Sequence, residues 1–518
     1  MKLDFHKNKS SVWTAAIAIS AVAAAIFCFF WQGFFKKMDQ RQLIISFPQE
    51  WKLPLYPASQ HTMIEDALLT NAFEALVQRG ENGLVLPLAA THFEFNTNFT
   101  QLLFKIDTGR KFSDGSSLTA HDFKRSWEQG LLLKENSANK NLSDVLSFVE
   151  GFDKFNATHM LSGVTALDDE TLIVRFSTSM RMALVHLTGA RFAAFKQSGS
   201  DFIGTGKYLI EQLSTHKIAL KKNQFSKEKS TFEQIIVIKT DDPFTKLERG
   251  EIDIVALNSG VYPKSDLIEE TDSIEDISIW FHVNGMHNRI LSDQRMRRAL
   301  QYLIWKISNE HASELSTLPR RFKVDFQPFL PLEAGRIPDE QLKYLIKEGE
   351  KYIPELLKKS QANPLIICAP GFLDIFIPWI EQAGLKITVI KPENSLEIMD
   401  EFYNGHRPDA MFLGASVHVS DPDGLYHLLG KSGAITSPMV YRKKVSDLLE
   451  KGRSLLTQEE ISRHYPAVTE EILTSVPSVH IGFLSHNYLY RKDRLTVDQD
   501  FFERHFDMFW KIFRRKNE

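Results

Sequence analysis

Between Phe104 and Trp127 the chain reads FKIDTGRKFSDGSSLTAHDFKRSW, a stretch that admits few local structures. Leu102, Phe104 and Ile106 alternate with more polar neighbours, as a strand with one buried face requires. Ser113-Asp114-Gly115 supplies turn chemistry, the glycine tolerating backbone angles that a side chain resists. Thr119 followed by Asp122 has the form of a capping box, with Asp in place of the usual Glu or Gln. Phe123, Trp127 and Leu131 then share a helical face, and such an apolar stripe packs inward. A strand, a tight turn and a capped helix in this order describe core architecture rather than a ligand contact.

With 518 residues the chain exceeds one ordinary core, and two or three domains are expected. Lys and Arg number 62 against 65 Asp and Glu, and no basic face emerges of the size that nucleic acid demands. Cys28 falls in an apolar run and Cys368 in an expected strand, so neither a disulfide nor a cysteine-rich zinc site is expected. No GxSxG, HExxH or GxxxxGK[ST] occurs. Gly414-Ala415-Ser416-Val417-His418 lacks the second glycine of a nucleophile elbow, and Glu269-Glu270-Thr271-Asp272 reads as a solvated turn. The expectation is a chain without catalysis, metal or cofactor.

Lys2, Lys7 and Lys9 precede Val12 to Phe35, a run without a charged residue. At about 1.5 Å per residue it spans a hydrocarbon core of roughly 30 Å. A cleaved signal is the competing reading, since Ala23-Ala24-Ala25 suits a peptidase. The apolar run continues through Ile26, Phe27, Cys28, Phe29, Phe30 and Trp31, which favours an uncleaved anchor. Lys36, Lys37 and Arg41 beyond it weaken the positive-inside argument for orientation.

Further signatures follow in order. Ala67 to Val77 (ALLTNAFEALV) reads as a helix and precedes Gly83 and Pro87-Leu88-Ala89. Gly204-Thr205-Gly206 leads into Tyr208-Leu209-Ile210, with Ile218-Ala219-Leu220 as the next strand. Lys246 to Ile254 reads as a helix capped by Gly250. Phe281-His282-Val283-Asn284 enters a helix started by Ser292 or Asp293, with Met296, Ala299, Leu300, Leu303 and Ile304 at helical spacing. Together with Phe104–Trp127, these segments resemble the extracytoplasmic solute-binding proteins of family 5, which capture oligopeptides and dipeptides for ABC transporters. The resemblance runs from about Ile44 to Tyr490.

After Asn363 a separate rhythm begins. Leu365 to Cys368, Lys386 to Ile390 and Asp409 to Leu413 read as strands. Helices Ile375 to Ala383 and Ser395 to Tyr403 alternate with them, closed by Gly384 and Gly405, and Pro378 interrupts the first. This order argues for parallel crossovers and a doubly wound lobe. Ligands in such sheets sit at the carboxyl ends of strands, which points to the loop after Leu413. Gly414, Ala415, Ser416, Val417, His418 and Asp421 are the candidate ligand-binding residues. The resemblance points to the same loop. Counting back from Asp421-Pro422, it implies a tryptophan at Ala415 and an amine-pairing aspartate at His418. Neutral imidazole lacks most of the attraction a carboxylate has for an ammonium. Asp421 or Asp423 is a possible substitute, although Asp421 beside Pro422 reads first as a loop-fixing residue. His418, with His406 and His427 in the same region, has no recognised metal spacing.

The resemblance implies an α/β, two-lobed periplasmic-binding-protein fold of class II with an extra subdomain in lobe one, here preceded by an N-terminal transmembrane helix. The implied layout places a stub and anchor at 1–40, lobe one at 41–278 with the subdomain at about 66–166, lobe two at 279–477, and a returning segment at 478–518. It implies capture of a peptide or other small solute, ABC permease subunits as partners, and an inner-membrane tether with the soluble portion in the periplasm. The alternatives are a non-transporting scaffold acting as envelope sensor or interaction protein, and a metal-chelate binder. The scaffold reading draws on Ser308 to Asn363, with Arg320-Arg321 and a Lys- and Glu-rich helix from Glu340 to Lys359. The basic tail, Lys511 to Lys516, reads as solvated.

Overall fold

Leu43 and Ile45, like Ile235 and Val237, are buried and alternate with more exposed neighbours. Period-two burial of this kind lays strands side by side, and the computed structural model shows two large sheets built from such strands. It describes residues 41–496 and 513–514, apart from internal stretches of which the longest are 133–141, 257–264, 393–407, 417–423 and 432–439. The expected anchor at 1–40 lies outside the described residues. Among those that are described, no helix is long and apolar enough to cross a membrane.

The first sheet has seven strands in the order Tyr208–Leu213, Lys217–Lys222, Gln234–Ile238, Gln42–Ser46, Ile254–Ala256, Tyr488–Arg491, Ile268–Glu270. Gln42–Ser46 runs parallel to both neighbours. A four-stranded antiparallel sheet, Ala90–Phe95, Gln101–Ile106, Thr171–Arg175 and Val164–Ala166, adds a subdomain that shares the same core. The second large sheet has the order Phe322–Val324, Ser478–His486, Ile274–Val283, Ala410–Ser416, Leu365–Cys368, Ile387–Ile390 and has its own core.

The chain passes between the two large sheets twice, between Glu270 and Ile274 and between His486 and Tyr488. The implied divisions at 278 and 478 therefore fall inside or at the start of strands that stay in the second sheet. Ile274–Val283 and Ser478–His486 pair from Ile274 opposite His486 to His282 opposite Ser478. Dividing the chain at either position would leave buried backbone groups of that ladder unpaired.

Locally, Leu102, Phe104 and Ile106 are buried, Gly115 adopts φ 87°, and Phe123, Trp127 and Leu131 are buried. The capping box is one-sided. The Asp122 carboxylate accepts from the Thr119 N–H at 2.8 Å and from its hydroxyl at 2.9 Å, so that hydroxyl turns to the acid instead of the helix. The early helix ends sooner than expected, at Met63–Ala72, and Val77 already begins a strand.

The expected single helix from Glu340 to Lys359 is two, Asp339–Lys347 and Ile353–Ala362, joined by a 3₁₀ turn. A Cβ on Gly349 would overlap the Arg298 carbonyl, so the break is packed against the neighbouring helix Gln294–Glu310. Proline in the first turn of the second helix suits that start. Neither helix is a purely solvated surface element, for Leu342, Ile346 and Leu356 are buried.

Leu365–Cys368 runs parallel to both Ile387–Ile390 and Ala410–Ser416. Pro378 lies in the first turn of Phe376–Gln382, after a 3₁₀ turn at Gly371–Ile375, and Gly384 closes that helix at φ 90°. The expected helix Ser395 to Tyr403 lies outside the described residues. In the tail, Phe513–Arg514 pairs with Leu495–Thr496.

Candidate ligand-binding cleft

The strand after Leu365–Cys368 pairs on one side of it and the next strand on the other, so the winding reverses there. Ligands in open α/β sheets sit at the carboxyl ends of strands at such a reversal. Ala410–Ser416 meets Leu365–Cys368 only at Ala410 and Met411. On its other side it stays paired with Ile274–Val283 as far as Ser416 opposite Ile277. From Phe412 onward one edge of the strand has no strand partner among the described residues. Ser416 also lies close to Ile274, where its neighbouring strand starts just after the crossing from the first sheet. The unpaired edge therefore sits at the end of the second sheet nearest the first. Unpaired backbone N–H and C=O groups on such an edge can bind an extended chain.

Gly414 is exposed on this strand, and the backbones of Ala415 and Ser416 complete it. Val417, His418 and Asp421 lie outside the described residues, as do His406 and Asp423. His427 belongs to the helix Gly424–Leu429, which follows the loop. Among the described residues, no group of three or more His, Cys, Asp or Glu side chains is placed to hold a metal ion.

Sequence reasoning missed the contacts between the two lobes. The Arg453 guanidinium carbon lies 4.0 Å from the ring centroid of Tyr426 and 4.3 Å from that of Phe148. Tyr426 is on the helix after the loop, whereas Phe148 belongs to the subdomain of lobe one. Arg181 Nε of the subdomain donates to the Leu455 carbonyl at 3.1 Å. Nothing in the sequence pattern marks these residues, because Arg453 meets rings from residues 148 and 426, which lie in separate parts of the chain.

Three of the ordered signatures converge elsewhere, inside lobe one. Arg110 of the opening segment donates to both Glu74 carboxylate oxygens at 2.9 and 2.8 Å. Thr205 and Lys207, around Gly206, reach the same carboxylate at 3.1 and 3.2 Å. Glu74 and Lys207 are buried. A Cβ on Gly204 or Gly206 would overlap the backbone of Ala72, so these glycines allow the turn to close on the end of the early helix. The motifs form a structural joint away from the unpaired edge.

The family model of the bacterial extracellular solute-binding proteins, family 5 (middle region), matches residues 85–306. That segment of the chain is similar to the middle region of the family. Among family 5 proteins, the periplasmic murein peptide-binding protein MppA of Escherichia coli is 24% identical over 325 residues, 58% of this chain and 59% of MppA. The chain spans about half to three fifths of the length of the curated relatives it matches. Solved structures align over more of it. AgaA of A. tumefaciens R10, in complex with agropinic acid, covers 92% of this chain and 99% of its own at TM-score 0.75 and 17% identity. DppA of Helicobacter pylori, in complex with the peptide STSA, covers 93% and 100% at TM-score 0.75 and 18% identity. The MppA structure covers 92% and 99% at TM-score 0.73 and 17% identity, and its unliganded open form gives 0.64. These likenesses show the two-lobed α/β periplasmic-binding fold.

Proposed function

We propose that this chain is the substrate-binding protein of an ABC import system, capturing a peptide or peptide-like solute between its two lobes. The unpaired edge of Ala410–Ser416 carries this reading. Backbone groups from Phe412 to Ser416 would bind an extended ligand, with Gly414 letting it approach closely, and the following loop of Val417, His418 and Asp421 would line the crevice. The lobes are 41–278 with a return near 478, and 279–477, adjusted to the crossings near 272 and 487. Val12 to Phe35 would tether the protein to the inner membrane, with permease subunits as partners.

The ligand class is argued from chemistry. MppA is named for murein peptides, DppA was solved with a peptide, and AgaA with agropinic acid. An extended ligand rich in hydrogen-bonding backbone suits the edge described. With His418 in place of a carboxylate, the ligand amine loses its charged partner, so N-acetylation should matter little.

The test is differential scanning fluorimetry of the full chain in detergent with tri-alanine and N-acetyl-tri-alanine. A ligand that binds only the folded protein adds about 2.7 kcal/mol at one hundred times its Kd. Stabilisation by both, with Kd values within about threefold, is expected, since a lost charge-assisted bond would cost far more. A loss above thirtyfold on acetylation, abolished in Asp421→Asn, would transfer the amine-binding role to Asp421. No stabilisation by peptides, with stabilisation by a nickel–histidine chelate, would favour the chelate reading instead.

A further inference from the structure

Guanidinium groups taken out of water are normally matched by acids. Two in lobe two are not. Arg297, on the helix Gln294–Glu310, is buried and donates only to neutral carbonyls. Its Nε and Nη2 reach the Ser475 carbonyl at 3.0 and 2.8 Å, and its Nη1 reaches those of Leu291 and Ser292, both at 2.9 Å. Arg442 immediately precedes the helix Lys443–Arg453. Its Nη1 donates to the Tyr441 carbonyl at 2.8 Å, while its Nη2 is buried with no hydrogen-bond partner among the described residues. The two side chains meet over Gly285, where a Cβ would overlap Arg442 Nη2 and crowd Arg297 Cδ. Acids of the flanking turns are held by other cations: Asp293 by Arg295 at 2.7 Å, Asp447 by Lys443 at 2.6 Å, and Glu471 by Lys444. Burial and, after it, the charge of Arg297 bring the Arg442 guanidinium down to about 10.

We propose that Arg442 and Arg297 form a binding site for a small, multiply charged oxyanion of the phosphate class. Arg442 supplies the uncommitted N–H groups of a planar fork, which match the oxygens of such an anion. Arg297, its own donors committed to carbonyls, supplies the second positive charge. The burial of Nη2 suits a small free ion rather than a bulky headgroup. Held there, the anion fastens the start of Lys443–Arg453 to the helix Gln294–Glu310. The site is separate from the proposed cleft. Gly285 follows Val283, which pairs with Ala410 at the beginning of its strand, whereas the cleft lies past Phe412 toward Ser416. The inference therefore stands without the capture reading.

Isothermal titration of the full chain in detergent with inorganic phosphate, at an ionic strength held constant with sodium chloride, tests this. The wild type should bind phosphate. Arg442→Met should weaken that binding by about tenfold or more, the scale of one charge-assisted hydrogen bond. Lys443→Gln, which removes an exposed neighbouring charge, should stay within about twofold of wild type. Urea unfolding adds a readout that a purely structural arginine would not give. In chloride alone Arg442→Met should unfold at a higher urea midpoint than the wild type, because an unmatched charge is gone. In saturating phosphate that order should reverse, since only the wild type gains from the ion. Absence of phosphate binding by the wild type would overturn the site. So would equal losses in Arg442→Met and Lys443→Gln, which mark a diffuse basic surface. A midpoint of Arg442→Met below wild type by the same amount in both salts would overturn it as well.

Discussion

Lobe one and lobe two bury polar groups in opposite ways. In lobe one, Glu74 meets Arg110, Lys207 and Thr205, so a buried acid is matched by three donors from two distant segments. In lobe two, Trp280, His282 and His480 are buried on one face of the second sheet, with Trp280 edge-on to His480 at 4.8 Å and stacked near His282 at 6.3 Å. His282 Nδ1 shares a 2.6 Å hydrogen bond with the Ser478 hydroxyl, while its Nε2 has no hydrogen-bond partner among the described residues. Burial pushes the His282 imidazole down to about 3. His480 is also held at about 3, chiefly by burial, with nearby Arg336 acting in the same direction and the Asp325 backbone opposing. One lobe keeps its buried charge by pairing it, and the other keeps its buried imidazoles neutral.

The contrast breaks first at Glu74. Glu74→Ala leaves Lys207 and Arg110 without their shared acid, and should cost about 3–5 kcal/mol in thermal or urea unfolding. A cost below about 1 kcal/mol would mean that the joint is not the ionic anchor described. Replacing Lys207 with Met in the same chain should recover part of the loss, because the isolated buried charge is then gone.

In lobe two the lever is pH. The folded-state pKa of both imidazoles lies below the unfolded value near 6.5, so between these values the unfolded chain binds more protons. Their contribution is present in full above pH 6.5 and is lost as pH falls toward 3. From pH 7 to pH 5 each histidine should cost about 2 kcal/mol, read from urea unfolding across that range. His480→Phe should remove about half of the slope. An unchanged slope in that variant would place the acid sensitivity elsewhere.

The smallest effect sharpens the same comparison. Ser478→Ala removes the partner of His282 and should destabilise by about 1–2 kcal/mol at pH 7. A neutral result would show that the stripe relies on packing alone.

Much of this contrast could not be read from sequence. The strand, turn and helix from Phe104 to Trp127 were legible because their periodicity and turn residues are local. So were the parallel strands around Leu365 and Ala410, where helix and strand periods alternate. Glu74, Arg110 and Lys207 stood inside visible motifs, yet nothing in residues 74, 110 and 207 shows that they meet. The break at Gly349 was hidden because it answers to the Arg298 carbonyl, a tertiary neighbour. Similarly, the crossings near 272 and 487 depend on how far two strands pair, and pairing length leaves no local mark. For the candidate site, strand order led to Gly414, and the structure adds the unpaired edge from Phe412 to Ser416. The Arg453 sandwich carries no sequence signal, since its two rings come from residues 148 and 426.

The central claim is tested most directly by a crystal structure of the full chain grown with saturating tri-alanine. The account predicts difference density between the two sheets, with peptide backbone hydrogen-bonded along Phe412–Ser416 and passing over Gly414. Clear ligand density seated elsewhere, with that edge covered by the protein's own chain, would contradict it.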